Sequence, residues 1–227
     1  MRRFLHHVVH PENPQARLLA NAAALIRAGA IALLPTAAGY LPVCRLDDKA
    51  AASKLRRMAD AAERDPAVLL CRDLGQAAVY LHIDDEAFRA IRASEPGAAA
   101  FTLPCTRRVP RRLASAAHGQ AQLYFAGHVA TQGLLKLIDE ALLLAPAAWG
   151  PGPETVDQLP PSWREGIDLA LDAGPLGEKP AFRPMWLSGH CGRSEAEEAG
   201  EWRGEGADPA HWAAKAPNGD VPDSRGP

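Results

Sequence analysis

The chain is 227 residues long, 47% hydrophobic and 23% charged, which bounds it to one globular domain with a tail and excludes a low-complexity or fibrous protein. Its formal charge of -2 conceals a split: residues 1–120 hold 17 Lys and Arg against 11 Asp and Glu, whereas the remainder hold 8 against 16. A basic front half predicts an anionic partner, and the lack of a signal-peptide or membrane-length apolar run predicts a soluble, cytoplasmic protein with no membrane contact.

Asn13 and Pro14 predict a helix start, as N-cap and first helical residue. Leu18, Ala22, Leu25 and Ile26 then recur at helical spacing, and Gly29 supplies the stop. The apolar run from Ala30 to Leu33 reads as a buried strand. It ends at Pro35-Thr36 and Gly39-Tyr40, which suits either a plain turn or a ligand site at a strand's end. A second helix begins at Asp47. Ala51, Leu55, Met58, Ala59 and Ala62 form its apolar stripe, and Lys54, Arg57 and Arg64 form a basic one. "AVLLC", residues 67–71, is a buried strand. A third helix opens on Asp84, Asp85 and Glu86, which favour its positive end, and turns Phe88 and Ile91 to the core before Pro96-Gly97.

Residues 98–103 and 121–125 are predicted strands, with "RRVPRR" exposed between them. A helix over about 130–140, a strand around 141–144 and "GIDLALDAG" at 166–174 complete a strand–helix alternation. That alternation predicts an α/β fold with a parallel or mixed sheet. From Gly189 the chain turns rich in Gly, Pro, Ala and acids without periodicity, so residues 1–188 form the domain and 189–227 a disordered tail.

The chain lacks a Walker loop, a G-x-G-x-x-G loop and the serine and zinc hydrolase motifs. Its four cysteines are far apart and three lie in or beside apolar runs, which suits core thiols in a reducing compartment. His6, His7 and His10 cluster near the start, and His190 adjoins Cys191, but neither group has the spacing of a metal site. No metal ligand and no catalytic residue is assigned. Arg107, Arg108, Arg111 and Arg112 crowd around Pro110, and cations on a shared face attract phosphate.

Four segments in order carry a resemblance: "HPENPQARLLANAAALIRAGAIALLPTAAGY", then residues 69–80, 95–113 and 166–180. Together they resemble the YrdC/YciO family, the L-threonylcarbamoyladenylate synthases and their relatives, and the YciO branch most closely. The resemblance implies a twisted, open α/β sheet around a large, concave, basic cavity. It implies a reaction that joins threonine, bicarbonate and ATP into threonylcarbamoyl-adenylate, for a tRNA modification. It also places Thr36 and Tyr40 at the cavity rim, with Lys54, Arg57 and Arg72 as nearby cations for a nucleotide, ATP with magnesium if the site is active. Double-stranded RNA or tRNA is the implied macromolecular partner, without DNA specificity, and Arg107, Arg108, Arg111 and Arg112 are the residues to hold it.

Against that pattern the chain departs in four places. Ala59 and Ala61 align with the family's K-x-R, Ala37 with the acid after Pro-Thr, Tyr124 with a strand arginine, and Leu144 to Pro146 with a serine-rich segment. The expectation is a nucleotide- and RNA-binding relative whose synthase activity is weak or lost. The alternatives are an active synthase using displaced basic residues and a non-catalytic protein-interaction module.

Overall fold

The computed structural model of the protein describes residues 4–59, 66–114, 119–145 and 152–177, and the backbone of 183–186. Their nine strands form one mixed sheet: β1 (Leu5–Val8), β2 (Ala32–Thr36), β3 (Gly39–Arg45), β4 (Ala67–Cys71), β5 (Ala99–Pro104), β6 (Gln120–Phe125), β7 (Leu142–Leu144), β8 (Leu169–Asp172) and β9 (Arg183–Trp186). The spatial order is β1-β8-β2-β3-β7-β4-β6-β5-β9. Three pieces are parallel, namely β1 with β8 and β2, β4 with β6, and β5 with β9; the other neighbours run antiparallel. Among the described residues six α-helices accompany the sheet: α1 (Ala16–Arg27), α2 (Lys49–Met58), α3 (Leu74–Tyr80), α4 (Asp85–Ala93), α5 (Val129–Ile138) and α6 (Pro161–Arg164). The expected α/β class holds.

Every residue of β2 and β4 is buried, as the unbroken apolar runs "ALL" and "AVLLC" require of strands covered on both faces. Burial pushes the thiols of Cys44 and Cys71 up to about 12 and that of Cys105 to about 11, so all three are neutral core thiols at pH 7. Cys191 and the expected tail from Gly189 lie outside the described residues. No described helix is long and apolar enough to cross a membrane.

Four local expectations change. Helix α1 starts at Ala16 rather than Pro14, because Nδ1 of His10 accepts the N–H groups of Glu12 and Asn13 at 3.2 and 3.1 Å and folds that stretch into a turn. The N-cap of α2 is Asp48, whose carboxylate accepts the Ala51 N–H at 2.9 Å, not Asp47. Helix α3, capped by Asp73, and strand β3 were not expected from the sequence. Pro42 argues against a central strand; here its carbonyl accepts the Ala145 N–H at 2.9 Å. Finally, Phe88 is 49% exposed, because α4 buries the stripe of Ala87 and Ile91, and Phe88 lies one residue, about 100°, off it.

Candidate functional site

The β2–β3 hairpin turns through Ala37 and Ala38, with Thr36 opposite Gly39 and Pro35 opposite Tyr40. Side chains alternate along a strand, so this register sends Thr36 and Tyr40 to opposite faces of the sheet. Thr36 is buried; its hydroxyl donates to the Gly39 carbonyl at 2.7 Å and accepts the Ala38 N–H at 3.1 Å. Gly39 holds φ +107, and a Cβ there would fall 2.5 Å from the Gly152 carbonyl oxygen, so only glycine closes this turn.

Tyr40 is fully buried on the other face, and its hydroxyl donates to the Gly174 carbonyl at 2.7 Å and accepts the Ala173 N–H at 2.8 Å. The Asp172 carboxylate stands 3.1 Å from the same hydroxyl and bonds His6 Nε2 at 2.7 Å through its other oxygen. Burial raises the Tyr40 pKa. Burial also raises that of Asp172, but bonds from the Gly174 N–H, His6 and Tyr40 outweigh it and leave the carboxyl below its usual range. Tyr40 is therefore a buried clamp between β3 and the end of β8, and its polar tip is fully used.

On the Thr36 side the turn is packed tight. The Ala37 N–H donates to the Ala126 carbonyl at 2.9 Å, and its methyl sits against two glycines. A Cβ on Gly97 would lie 2.3 Å from that methyl, and one on Gly127 would lie 2.9 Å from it. The buried Tyr124 hydroxyl reaches the Gly97 carbonyl at 3.4 Å; burial raises its pKa, while bonds with the Thr36 hydroxyl and the Ala38 backbone lower it. Ala59, at the C-cap of α2, and Leu144, between β3 and β4, are also buried. Ala61, Arg64 and Pro146 lie outside the described residues.

The expected cations are divided. Lys54 is half-buried and Arg57 exposed, both on α2, whose last turn is held where Trp163 Nε1 donates to the Met58 carbonyl at 2.9 Å. Arg72 follows β4, and its guanidinium is bridged by Asp73 at 2.7 Å and Asp139 at 2.9 Å. Those two carboxylates already balance its charge. Beyond the ends of β4 and β6, Arg72 helps line a pocket of about 320 Å³ with Ile91, Arg92, Glu95, Phe101 and Phe125. The sequence gives no sign of this pocket, because its walls come from four separate stretches.

The arginine connection between β5 and β6 is built differently. Val109 and Leu113 are buried and tether it, while Arg107, Arg108 and Arg111 are exposed. Arg112 is exposed as well, but its guanidinium donates to the carbonyls of Leu46 and Asp47, both at 3.1 Å. The Thr106 hydroxyl donates to the Val79 carbonyl at 2.8 Å and accepts the Arg108 N–H at 3.2 Å. The sequence groups all four arginines together; all four are exposed, and Arg112 also staples the connection to the loop before α2.

Residues 24–180 match the family model of Sua5, YciO and YrdC, described as "Telomere recombination". The chain belongs to this family. It is 31% identical over 176 residues to YciO of Escherichia coli, which covers 76% of this chain and 85% of that protein. The E. coli YciO crystal structure superposes with a TM-score of 0.70 at 29% identity, covering 83% of this chain and 92% of that one. Sua5 of P. abyssi complexed with L-threonine has the same fold, with a TM-score of 0.67 at 18% identity over 80% of this chain and 54% of that one. Membership in the Sua5/YciO/YrdC family thus ties this chain to relatives of the threonylcarbamoyl-adenylate synthases.

Proposed function

We propose that this family member binds structured RNA and no longer forms threonylcarbamoyl-adenylate at a useful rate. The observation that carries the reading is the anchored connection, on which Arg107, Arg108 and Arg111 face water while Val109, Leu113 and Arg112 fix the backbone. Fixed cations attract duplex phosphates with little ordering cost and little sequence preference. The loss of synthesis is supported by what stands at the positions where the resemblance expects charge and hydroxyls. Ala37 is walled by Gly97 and Gly127, and Tyr124, Ala59 and Leu144 are buried. Adenylate formation needs preorganised donors for the triphosphate and the threonine carboxylate. Lys54 and Arg57 still offer an anion-binding surface for ATP, with magnesium accompanying it if any turnover persists. The protein is assigned to the cytoplasm, where its thiols stay reduced.

The test has two arms. A short duplex RNA is titrated at rising salt against the parent and the R107A/R108A/R111A variant. The parent should weaken steeply with salt, and the variant should lose most of its affinity and show a shallower slope, by up to roughly 2–3 in log–log terms. Parent-like binding by the variant would overturn the RNA assignment. In the second arm, threonine-dependent pyrophosphate release is compared with an active family synthase. A rate at least ~10²-fold lower is expected; turnover within about tenfold would overturn the loss of synthesis.

A further inference from the structure

Strand β1 forms one edge of the sheet, with β8 as its single neighbour among the described residues. The backbone N–H groups of Leu5 and Val9 donate to the carbonyls of Asp168 and Asp172 at 2.9 and 2.7 Å. Backbone groups alternate in direction along a strand, so Leu5, His7 and Val9 spend theirs on β8, while Phe4, His6 and Val8 point theirs out of the sheet. Sheet edges are commonly blunted by Lys, Pro, a bulge or a covering segment. Residues 4–8 read "FLHHV" and include neither Lys nor Pro, whereas β9 at the opposite edge contains Pro184. The side chains alternate too. Leu5 and His7 are half-buried, and His7 Nε2 bonds Asn21 of α1 at 2.9 Å. Phe4, His6 and Val8 share the other face, with the rings of Phe4 and His6 6.2 Å apart. Phe4 is 41% and Val8 67% exposed, so two apolar side chains flank the outward backbone groups.

The order of these residues selects the occupant. A two-fold axis through His6 lays a second β1 antiparallel to the first, and every outward group then meets its equal. His6 exchanges both of its backbone bonds with His6 of the second copy, and Phe4 does the same with Val8 of that copy. The same register sets each Phe4 side chain opposite a Val8, an aromatic–β-branched pair of the kind that stabilises sheets. Charge agrees with this pairing. His6 Nε2 bonds the Asp172 carboxylate at 2.7 Å, so two imidazoles facing across the axis are each balanced within their own copy. Leu5–Val8 holds no Asp, Glu, Lys or Arg, so a charged peptide finds no counter-charge on the strand beyond that paired histidine. We propose that β1 is a homodimer interface, where two copies join edge to edge into one continuous sheet. The axis closes the assembly at two copies. The strand is only 4 residues long, so the contact is small and the dimer weak, with a Kd between about 10 μM and about 1 mM.

The experiment uses the full chain. Sedimentation velocity from about 10 μM to about 1 mM should show a reversible monomer–dimer equilibrium. Amide hydrogen exchange followed by NMR supplies the residue-level reading. The His6 and Val8 amides should slow in proportion to the dimer fraction, while the His7 amide, already spent on β8, should not change. F4K/V8K sets Lys opposite Lys on both sides of the axis, and F4E/V8E sets Glu opposite Glu. Each alone should dimerise at least about tenfold more weakly than the parent. An equimolar mixture of the two sets Glu against Lys at every pair and should recover dimers. Both positions are exposed, so thermal melts of the variants should match the parent's. A parent that stays monomeric throughout that concentration range would overturn the proposal. So would assemblies larger than a dimer, His6 and Val8 amides indifferent to concentration, or a mixture no more dimeric than its components.

Discussion

The β2–β3 turn and the β5–β6 connection both carry polar and charged residues between buried strands, and they use them in opposite ways. At the first, each polar group of Thr36 and Tyr40 is satisfied by the chain itself, and the space beside Ala37 is filled by Gly97 and Gly127. At the second, apolar Val109 and Leu113 do the holding, and the guanidiniums of Arg107, Arg108 and Arg111 stay exposed. The comparison teaches that a hydroxyl or cation near a strand's end becomes functional only if the fold leaves it unspent. A buried donor that is already bonded stabilises the turn and has nothing left for a ligand.

The comparison can be broken by substitution. The largest effect is expected from G97V, because Gly97 holds φ +90 and a Cβ there would lie 2.3 Å from the Ala37 methyl. A loss of about 3 kcal/mol or more is expected in chemical denaturation, and a neutral result would mean that the turn is loosely packed and open. Y40F comes next. It strands the buried Ala173 N–H and removes the bond to Gly174, so a loss of ~1–3 kcal/mol is expected. Retained stability with a change only in ligand affinity would instead return Tyr40 to a binding role.

A pair of variants sharpens the second half of the comparison. R112A should lower stability by roughly 1–2 kcal/mol, through its bonds to Leu46 and Asp47, and weaken duplex RNA binding no more than removal of one distant charge. R107A/R108A/R111A should do the reverse. If R112A weakens RNA binding as much as the triple variant with no loss of stability, stapling the connection is not its role.

The smallest effect is one of pH. His128 caps α5, its Nδ1 accepting the Ala130 N–H at 3.2 Å, and burial holds its pKa below the usual 6.5. The unfolded chain then binds the proton more readily, so stability is full above pH 6.5 and declines as pH falls through the folded-state value. H128N keeps a cap acceptor without a titrating group and should flatten that decline in thermal melts at several pH values. An unchanged profile would place the titration elsewhere.

Much of the fold was legible because its signals are local. "AVLLC" is too apolar and too short for anything but a covered strand, and Asp84 with Asp85 and Glu86 marks a helix start in three letters. Helix α3 was obscured because "LGQAAVY" is short and only weakly amphipathic, and β3 because Pro42 argues against its position. For the site, the family resemblance picked Thr36, Tyr40 and Arg72, and the basic run picked Arg112. Neither signal reveals that hairpin register parts the first two, or that carboxylates and carbonyls occupy the last two.

The sequence by itself determined the strand–helix alternation, the buried runs, the thiols in the core and the family to which the chain belongs, since each is written in contiguous residues or in their order. Only the tertiary structure decided which polar groups are spent. His6 meets Asp172 across 166 positions, Thr131 bonds the Pro35 carbonyl across 96, and Gly97 meets Ala37 from another loop. Whether a donor or charge is free depends on such distant partners, and no local pattern of residues encodes them.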